Sequence, residues 1–342
     1  MTFIDQPVIP RGSIVLITGV NGFIASNIAD QFLRAGYRVR GATRDPSKNA
    51  WLASLFDTKY GHGNFEFAKV TDMEAEGVYD QVVKGVSAVI HAAAKLSMSP
   101  NPHEVIPGTV AGTINALKAA ASEPGVKRFV LTSSSTAALV PKPNRPCTVT
   151  TETWNEEAVT LAYRDPPYEP ERGYSVYAAS KTLSEKAAWE FMRENDPGFV
   201  LNAVLPDINF GASLDLAHQG HASTSGVLVE LFRGNTKPLV TKPPQYFVDV
   251  QDVALLHVAS AIHPGVLSER VFAFAEPFNG DDILTILRRI YPDRSFPANF
   301  QSDKDLSDIV PRKRAEELLR DMGREGWTSL EESIRKNTAD LA

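Results

Sequence analysis

Two residues spaced four apart, Tyr177 and Lys181, form the pair in this chain best suited to proton transfer. They lie in YSVYAASKTLSEKAAWEF, a segment with a helical pattern, and on a helix this spacing places both side chains on one face. A phenol normally ionises near pH ~10, and a neighbouring ammonium stabilises the phenolate and lowers that pKa. The pair therefore predicts a tyrosine that donates or accepts a proton. The alternative is a half-buried tyrosine beside a surface lysine, because Tyr-x-x-x-Lys also arises by accident.

Three consecutive serines, Ser133, Ser134 and Ser135, close the apolar segment FVLTSSSTAAL. The apolar run predicts a strand, and the carboxyl ends of strands are where ligands bind in a doubly wound sheet. A hydroxyl there can hold a carbonyl oxygen for the tyrosine. Serines at strand ends are otherwise common turn residues, so this feature indicates a site only together with the others.

A glycine-containing turn lies near the N-terminus, in SIVLITGVNGFIASNIAD. Gly19, Gly22 and Ala25 are spaced G-x-x-G-x-x-A between a predicted strand and a predicted helix. Gly19 permits the tight turn, Gly22 lets the backbone approach a diphosphate, and Ala25 leaves room for the helix to pack on the strand. The N–H groups that begin the helix then face the anion. The context favours dinucleotide binding over a plain tight turn.

The second predicted strand ends in GATRD, and its arginine bears on which dinucleotide binds. NAD-binding proteins often place a carboxylate near this point, on the ribose hydroxyls. Here Gly41, Ala42 and Thr43 come first and then Arg44, and an arginine can grip a 2′-phosphate through paired donors. Lys48 can add positive charge. We therefore predict NADP(H) rather than NAD; the alternative is that Arg44 is a solvated loop residue paired with Asp45.

Alternation of short apolar runs with helical patterns predicts an α/β fold with a Rossmann-type doubly wound parallel sheet. The predicted strands are 13–18, 37–43, 65–70, 87–92, 127–133 and 199–206. The predicted helices between them are 22–35, 75–84, 103–122 and 175–195.

The last third has a different pattern and predicts a smaller, mostly helical lobe. Its predicted helices are 223–233, 249–263, 279–291, 312–322 and 328–341, with short strands near 245–248 and 270–275. We divide the chain into an NADP-binding Rossmann domain, 1–210, and a substrate-binding lobe, 211–342. The two are expected to interleave, with 249–263 packing back on the Rossmann domain.

Composition excludes several classes of function. A net charge of −6 over 342 residues disfavours nucleic-acid binding. The start, MTFIDQPVIPRGS, lacks a signal-peptide pattern, and no run approaches the ~20 apolar residues that span a bilayer. With a single cysteine, Cys147, we expect a cytoplasmic protein without a membrane partner. His218 and His221, in HQGH, have no third ligand nearby, so we expect a loop and no metal.

The glycine turn, the serine-bearing strand end and Tyr-x-x-x-Lys, in that order, resemble the short-chain dehydrogenase/reductase superfamily. The segments HAAA (91–94), GTINALKAA (112–120) and YFVDVQDVALLH (246–257) resemble its extended branch. Within that branch the chain is similar to the dihydroflavonol-reductase-like group, and especially to the fungal and yeast NADPH-dependent carbonyl (aldehyde) reductases. The resemblance covers essentially the whole chain.

The resemblance implies roles for particular residues. Ser134 matches the catalytic hydroxyl, with Ser133 as runner-up; Tyr177 matches the proton donor, and Lys181 holds the nicotinamide ribose. LPDINFG departs from the usual segment after the sixth strand, and Asp207 and Asn209 are therefore expected to alter contacts with the cofactor or the substrate. The full set expected to bind the cofactor is Gly19, Asn21, Gly22, Phe23, Ile24, Arg44, Lys48, Asp72, Met73, Ala92, Ala93, Ala94, Thr132, Ser133, Tyr177, Lys181, Pro206, Ile208 and Asn209.

These features predict NADPH-dependent reduction of a small-molecule aldehyde or ketone, with Gln245 and Tyr246 as candidate substrate contacts. The alternatives are an NAD-dependent sugar-nucleotide epimerase or dehydratase of the extended branch, and a nonenzymatic NADP-sensing protein. Either a monomer or a homodimer is expected.

Overall fold

Seven parallel strands form the central sheet of the computed structural model, which describes residues 4–95, 97–240 (without the Val240 side chain) and 242–342. The first three residues of the segment predicted to lack a signal peptide lie outside this description. The strands are β1 (Ile14–Thr18), β2 (Arg38–Thr43), β3 (Phe65–Lys69), β4 (Val86–His91), β5 (Arg128–Thr132), β6 (Cys147–Val149), β7 (Val200–Pro206), β8 (Ile208–Phe210), β9 (Gln245–Asp249), β10 (Arg270–Ala273), β11 (Glu276–Phe278) and β12 (Ser307–Ile309). Their order across the central sheet is β10-β7-β5-β4-β1-β2-β3.

Apolar runs form these strands because the sheet is buried on both faces. In β1, Val15 and Ile17 enter the core on one face, while Leu16 enters the core on the other. The order reverses direction between β1 and β4, as in a doubly wound sheet, and the predicted fold class is confirmed. The carboxyl ends of β1, β4 and β5 therefore meet at one edge.

Helices cover both faces of the sheet. They are α1 (Phe23–Arg34), α2 (Ala50–Tyr60), α3 (Pro102–Ala121), α4 (Glu156–Ala162), α5 (Gly173–Asn195), α6 (Leu216–Gln219), α7 (Ser225–Phe232), α8 (Lys237–Val240), α9 (Val250–Ile262), α10 (Gly280–Ile290), α11 (Arg312–Asp321) and α12 (Leu330–Thr338). Helices α1, α9 and α11 share one core, and α3 and α5 pack on the opposite face.

The smaller lobe has its own core beside the carboxyl edge of the sheet. Strand β9 pairs in parallel with β8 and antiparallel with β11, and Phe210, Phe247 and Phe278 pack together there with α7, α10 and α12. The central sheet takes its seventh strand, β10, from beyond residue 210, and α9 packs against α1 and β7. The division into two domains at residue 210 stays a prediction.

One predicted helix is wrong. Residues 75–84 form a series of hydrogen-bonded turns, in which Gly77 has φ +71°, a left-handed conformation that an α-helix cannot contain. Conversely, α2 was not predicted. Its signal was available, because Leu52 and Phe56 lie four residues apart and are both buried.

Candidate functional site

The glycine turn joins β1 to α1 and leaves the start of that helix open to an anion. Gly19 has φ +66°, and a Cβ there would lie 3.1 Å from the Cα of Ala93, so glycine is required. Gly22 caps α1 without a side-chain hydrogen bond, and no acidic residue occupies the first turn. The first N–H groups of α1 therefore lack helical partners and carry the positive end of the helix dipole, which suits a diphosphate.

A cavity of about 550 Å³ lies beside this turn. The predicted cofactor residues that line it are Gly19, Asn21, Gly22, Arg44, Asp72, Met73, Ala92, Ala93 and Ala94. The remaining predicted residues do not line it; of those near the turn and the Arg44 loop, Phe23 is buried, Ile24 packs against the core of the sheet, and Lys48 faces solvent. The structure thus gathers residues from the ends of β1, β2, β3 and β4 into one cleft, which fits a dinucleotide.

Arg44 lies at the wall of this cleft with an exposed side chain. It makes no hydrogen bond or ion pair with another residue in the described ranges. Asp45 is engaged elsewhere: it accepts from the Ser47 hydroxyl at 2.6 Å and pairs with Lys48 at 3.8 Å. These groups also lower the pKa of Asp45, the Ser47 hydroxyl having the largest effect. The guanidinium of Arg44 is therefore available to an anion in the cleft.

The loop that lines the cleft after β3 is held by Asn115 of α3. Its side-chain nitrogen donates to the carbonyl oxygens of Met73 at 3.2 Å, Glu74 at 3.0 Å and Ala75 at 3.1 Å. Asn115 thus positions Met73 without facing the cofactor cleft itself. An amide among the small and apolar residues of the helical segment GTINALKAA is the sequence signal that marks it.

Thr18, which the sequence analysis missed, fixes the segment after β4. Its hydroxyl oxygen accepts from the N–H groups of Ala92 and Ala93, each at 3.0 Å, and lies 3.1 Å from Nδ1 of His91. Burial, with the charge of Lys181, lowers the pKa of His91 to about 3, so the imidazole is neutral. This network holds the alanines against the glycine turn.

Ser133 and Ser134, the first two serines after β5, have different partners. Ser133 donates to a carboxylate oxygen of Glu185 at 2.6 Å, within α5 and away from the tyrosine. Ser134 accepts from the Thr136 hydroxyl at 3.0 Å, and its side chain lowers the pKa of Tyr177. Of the two candidates for the catalytic hydroxyl, Ser134 is therefore the one that acts on the phenol.

Helix α5 brings Tyr177 and Lys181 to this strand end. Burial raises the pKa of Tyr177; the hydrogen bond with Ser134 lowers it, and the carboxylate of Asp207 raises it. Burial lowers the pKa of Lys181 to about 8, with Glu185 acting in the opposite direction. The ammonium donates to the backbone oxygen of Thr132 at 3.2 Å. The expectation that Lys181 lowers the pKa of Tyr177 stays a prediction.

Glu185 anchors α5 by a buried ion pair. Its carboxylate accepts from Arg270 of β10 at 2.7 Å, and both side chains are more than nine-tenths buried. Arg270 also donates to the backbone oxygens of Thr151 and Thr153, and its guanidinium lies 3.8 Å from the ring centre of Trp154. Since Glu185 holds Ser133 as well, the network fixes α5 relative to the serine loop.

Asp207, directly after β7, is an unexpected buried acid at the catalytic end. It accepts from the N–H of Ile208 at 2.8 Å, and burial raises its pKa to about 7. Its charge in turn raises the pKa values of Tyr174 and Tyr177. Hydrogen bonds from Ser135 and from the N–H groups of Ile208 and Tyr246 oppose the rise in the pKa of Asp207, whereas the charge of Asp305 adds to it.

Several other predicted residues lie close to this end with their side chains already engaged. Thr132 bonds His257 at 2.8 Å, Ile208 packs in the core of the smaller lobe, and Asn209 donates to the backbone oxygen of Asp207 at 2.9 Å. Pro206 ends β7, opposite Ala273 of β10. We therefore propose that these residues adjoin the nicotinamide through their backbone atoms and not through their side chains.

The two candidate substrate residues lie in different surroundings. The Tyr246 side chain is buried, and its hydroxyl donates to the backbone oxygen of Ser307 at 3.0 Å. This placement does not support a substrate contact by its phenol. Gln245 lines a separate cavity of about 370 Å³ in the smaller lobe, together with Phe278 and Phe300.

The two histidines of HQGH bond to different residues. His218 bonds Asp215 at 3.1 Å, whereas His221 bonds Asp340 at 3.0 Å.

Across the ranges that the structure describes, no helix has both the length and the apolar composition needed to cross a bilayer.

Known proteins resemble this chain in both sequence and structure. The NAD dependent epimerase/dehydratase family matches residues 15–266. Aldehyde reductase 2 of Sporidiobolus salmonicolor is 45% identical, over 98% of each chain. The NAD-dependent epimerase/dehydratase terH of Aspergillus terreus is 38% identical, over 97% of this chain and 98% of its own. Among solved structures, Gre2 of Candida albicans in complex with NADPH superposes with a TM-score of 0.81 at 25% identity, covering 97% of this chain and 98% of that one.

Proposed function

Because the chain belongs to the NAD dependent epimerase/dehydratase family, we propose that it is a reductase that uses NADPH to convert aldehydes and ketones to alcohols. This membership confirms the resemblance to the extended branch of the short-chain dehydrogenases. The observation that carries the activity is that α5 meets the serine-bearing end of β5, where Lys181 donates to the backbone oxygen of Thr132 at 3.2 Å, in a chain 45% identical to an aldehyde reductase.

Bound in the cleft, NADPH supplies a hydride to the carbonyl carbon. Tyr177 protonates the oxygen as its charge develops, and Ser134 donates a hydrogen bond to the same oxygen. Lys181 is proposed to hold the nicotinamide ribose and to favour the phenolate that remains. The chain thus orients the two reactants and places donors where negative charge forms.

Arg44 supports NADPH over NADH. It lies at the cleft wall and has no partner in the described part of the chain, and no carboxylate precedes it on β2. A free guanidinium at this position suits a 2′-phosphate through charge-assisted hydrogen bonds.

The epimerase alternative is favoured by the name of the A. terreus relative. It needs NAD retained as an internal hydride carrier, which Arg44 disfavours. A nonenzymatic NADP-sensing protein is a further alternative, but such a protein has no use for Ser134, Tyr177 and Lys181 together. Cytoplasmic location, and assembly as a monomer or homodimer, stay predictions.

The test is NADPH oxidation by the purified protein with aromatic aldehydes, β-keto esters and flavonoid-type ketones. We expect turnover with at least one class. Tightly bound NAD in the purified protein would instead support the epimerase, and tight NADPH binding without turnover on any carbonyl would support the sensor.

A further inference from the structure

A loop of the smaller lobe crosses to the glycine turn of the larger one. We call residues 213–221, which contain the short helix α6, the strap. Within the strap, Ser213 donates to the backbone oxygen of Gly220 at 2.6 Å and so joins its two ends. His221 bonds Asp340 at 3.0 Å and holds the strap to the smaller lobe.

Gln219 makes the first contact with the glycine turn and α1. Its side-chain nitrogen donates to the backbone oxygen of Asn21 at 3.2 Å and to the Ser26 hydroxyl at 3.0 Å. Its side-chain oxygen accepts from the N–H groups of Leu214 and Asp215 within the strap. The amide orientation is therefore fixed by all its partners, since the nitrogen faces a carbonyl and the oxygen faces N–H groups.

His218 makes a second, independent contact. Its ring stacks on Trp51 of α2, with ring centres 5.1 Å apart and planes 5° from parallel. Trp51 in turn packs against the core of the sheet. The strap thus touches both the glycine turn, through Asn21, and the helix that follows the Arg44 loop.

We propose that the strap closes the diphosphate end of the cleft and sets the rate at which NADPH leaves. Gln219 spans Asn21 and Ser26, which flank the first turn of α1, where the diphosphate is expected to bind. A cofactor held against that turn departs only after these hydrogen bonds break. The inference rests on the proposed function, because it takes NADPH as the occupant.

The experiment measures NADPH dissociation directly, by displacing it from the protein with excess NADP⁺ in a stopped-flow fluorimeter. In Gln219→Ala, dissociation should accelerate roughly 5- to 100-fold, the effect of two lost hydrogen bonds. Because affinity changes arise mainly in dissociation, the Kd should rise by a similar factor. His218→Ala should accelerate dissociation roughly 2- to 10-fold through loss of the aromatic stack.

Two further variants separate the contact with Asn21 and Ser26 from the contacts within the strap. Gln219→Glu keeps an acceptor for Leu214 and Asp215 but cannot donate to Asn21, and it adds negative charge near the diphosphate. Dissociation should then be faster than in Gln219→Ala. Gln81→Ala changes an exposed glutamine that makes no side-chain hydrogen bond in the described ranges, and should leave the rate unchanged.

The outcomes distinguish a failure of the strap proposal from a failure of the proposed function. Rates equal to wild type in Gln219→Ala and Gln219→Glu, with NADPH still bound and reduction intact, would overturn the strap alone. A wild-type protein that binds no NADPH would overturn the strap together with the proposed function.

Discussion

The catalytic end and the adenosine end of the cleft differ in how their side chains are held. At the catalytic end, Ser134, Lys181 and Asp207 are each at most 9% exposed and already hydrogen-bonded to other protein groups. At the adenosine end, Arg44 is exposed and has no partner in the described ranges. One end is arranged by the fold before any ligand binds, whereas the other presents a free group to the ligand.

This difference predicts separable effects of mutation. Changes at the buried end should reduce the rate of the chemical step or the stability of the fold. Changes at the exposed end should alter the choice of cofactor and leave both the rate at saturation and the stability almost unchanged.

The largest effect is expected from Tyr177→Phe, which removes the proton donor but keeps the ring. Reduction should fall about 10²- to 10⁴-fold, the usual contribution of a positioned acid, while NADPH binding persists. Single-turnover reduction and fluorescence titration with NADPH measure the two properties. Tyr174→Phe is the matched control, because Tyr174 has Ala178 where Tyr177 has Lys181; an equal loss in both variants would remove the special role of Tyr177.

Within the catalytic end, the adjacent Ser133 and Ser134 should differ in their contributions to the rate and to stability. Ser134→Ala should lower kcat about 10²- to 10³-fold, as loss of one oxyanion donor does. Ser133→Ala should cost about 1–3 kcal/mol in unfolding free energy, because it leaves the buried Glu185 short of a donor, with a much smaller change in kcat. Steady-state kinetics and urea unfolding of both variants test this, and the opposite assignment of losses would identify Ser133 as the catalytic hydroxyl.

At the adenosine end, Arg44→Ala should reduce the preference for NADPH over NADH roughly 10- to 150-fold, since each charge-assisted hydrogen bond contributes about 1.5–3 kcal/mol. The measurement is the ratio of kcat/KM for the two cofactors at fixed carbonyl concentration. Lys48→Ala is the control, because Lys48 faces solvent outside the cleft. An unchanged ratio in Arg44→Ala would show that selectivity arises elsewhere.

Asp207→Asn should have the smallest effect on turnover. It should also change how the stability of the fold depends on pH. Burial raises the pKa of Asp207 to about 7, so the folded chain holds a proton there that the unfolded chain has released above pH ~4. Wild-type stability relative to the variant should therefore fall as pH rises from 5 to 8, by on the order of 2 kcal/mol. Urea unfolding at both pH values measures this; Arg44→Ala should show no such pH dependence, and a flat difference for Asp207→Asn would contradict the burial argument.

The features predictable from sequence were those set by local spacing. The G-x-x-G-x-x-A turn is local because Gly19 needs a left-handed φ and α1 follows directly. The strand runs were predictable because burial on both faces demands apolar residues throughout. The error at 75–84 has a local cause as well, since Gly77 at φ +71° interrupts an otherwise helical pattern.

Features that depend on long-range packing were not predictable. Nothing in TSSS tells which serine faces α5 through Glu185 and which acts on the phenol of Tyr177. Likewise, the bond from Gln219 to Asn21 joins residues 198 positions apart, and a loop containing HQGH carries no local sign of it. Thr18 escaped notice because its role is to hold the backbone of another strand's end.

The most direct test of the central claim compares NADPH with NADH as hydride source for the wild-type protein. With one reactive aldehyde at fixed concentration, kcat/KM is measured for each cofactor. We predict that the wild-type protein reduces the aldehyde. Its kcat/KM for NADPH should be at least tenfold above that for NADH, because Arg44 offers the 2′-phosphate charge-assisted hydrogen bonds. A wild type that prefers NADH, or that retains NAD through purification and reduces no carbonyl, would contradict the account and support an epimerase.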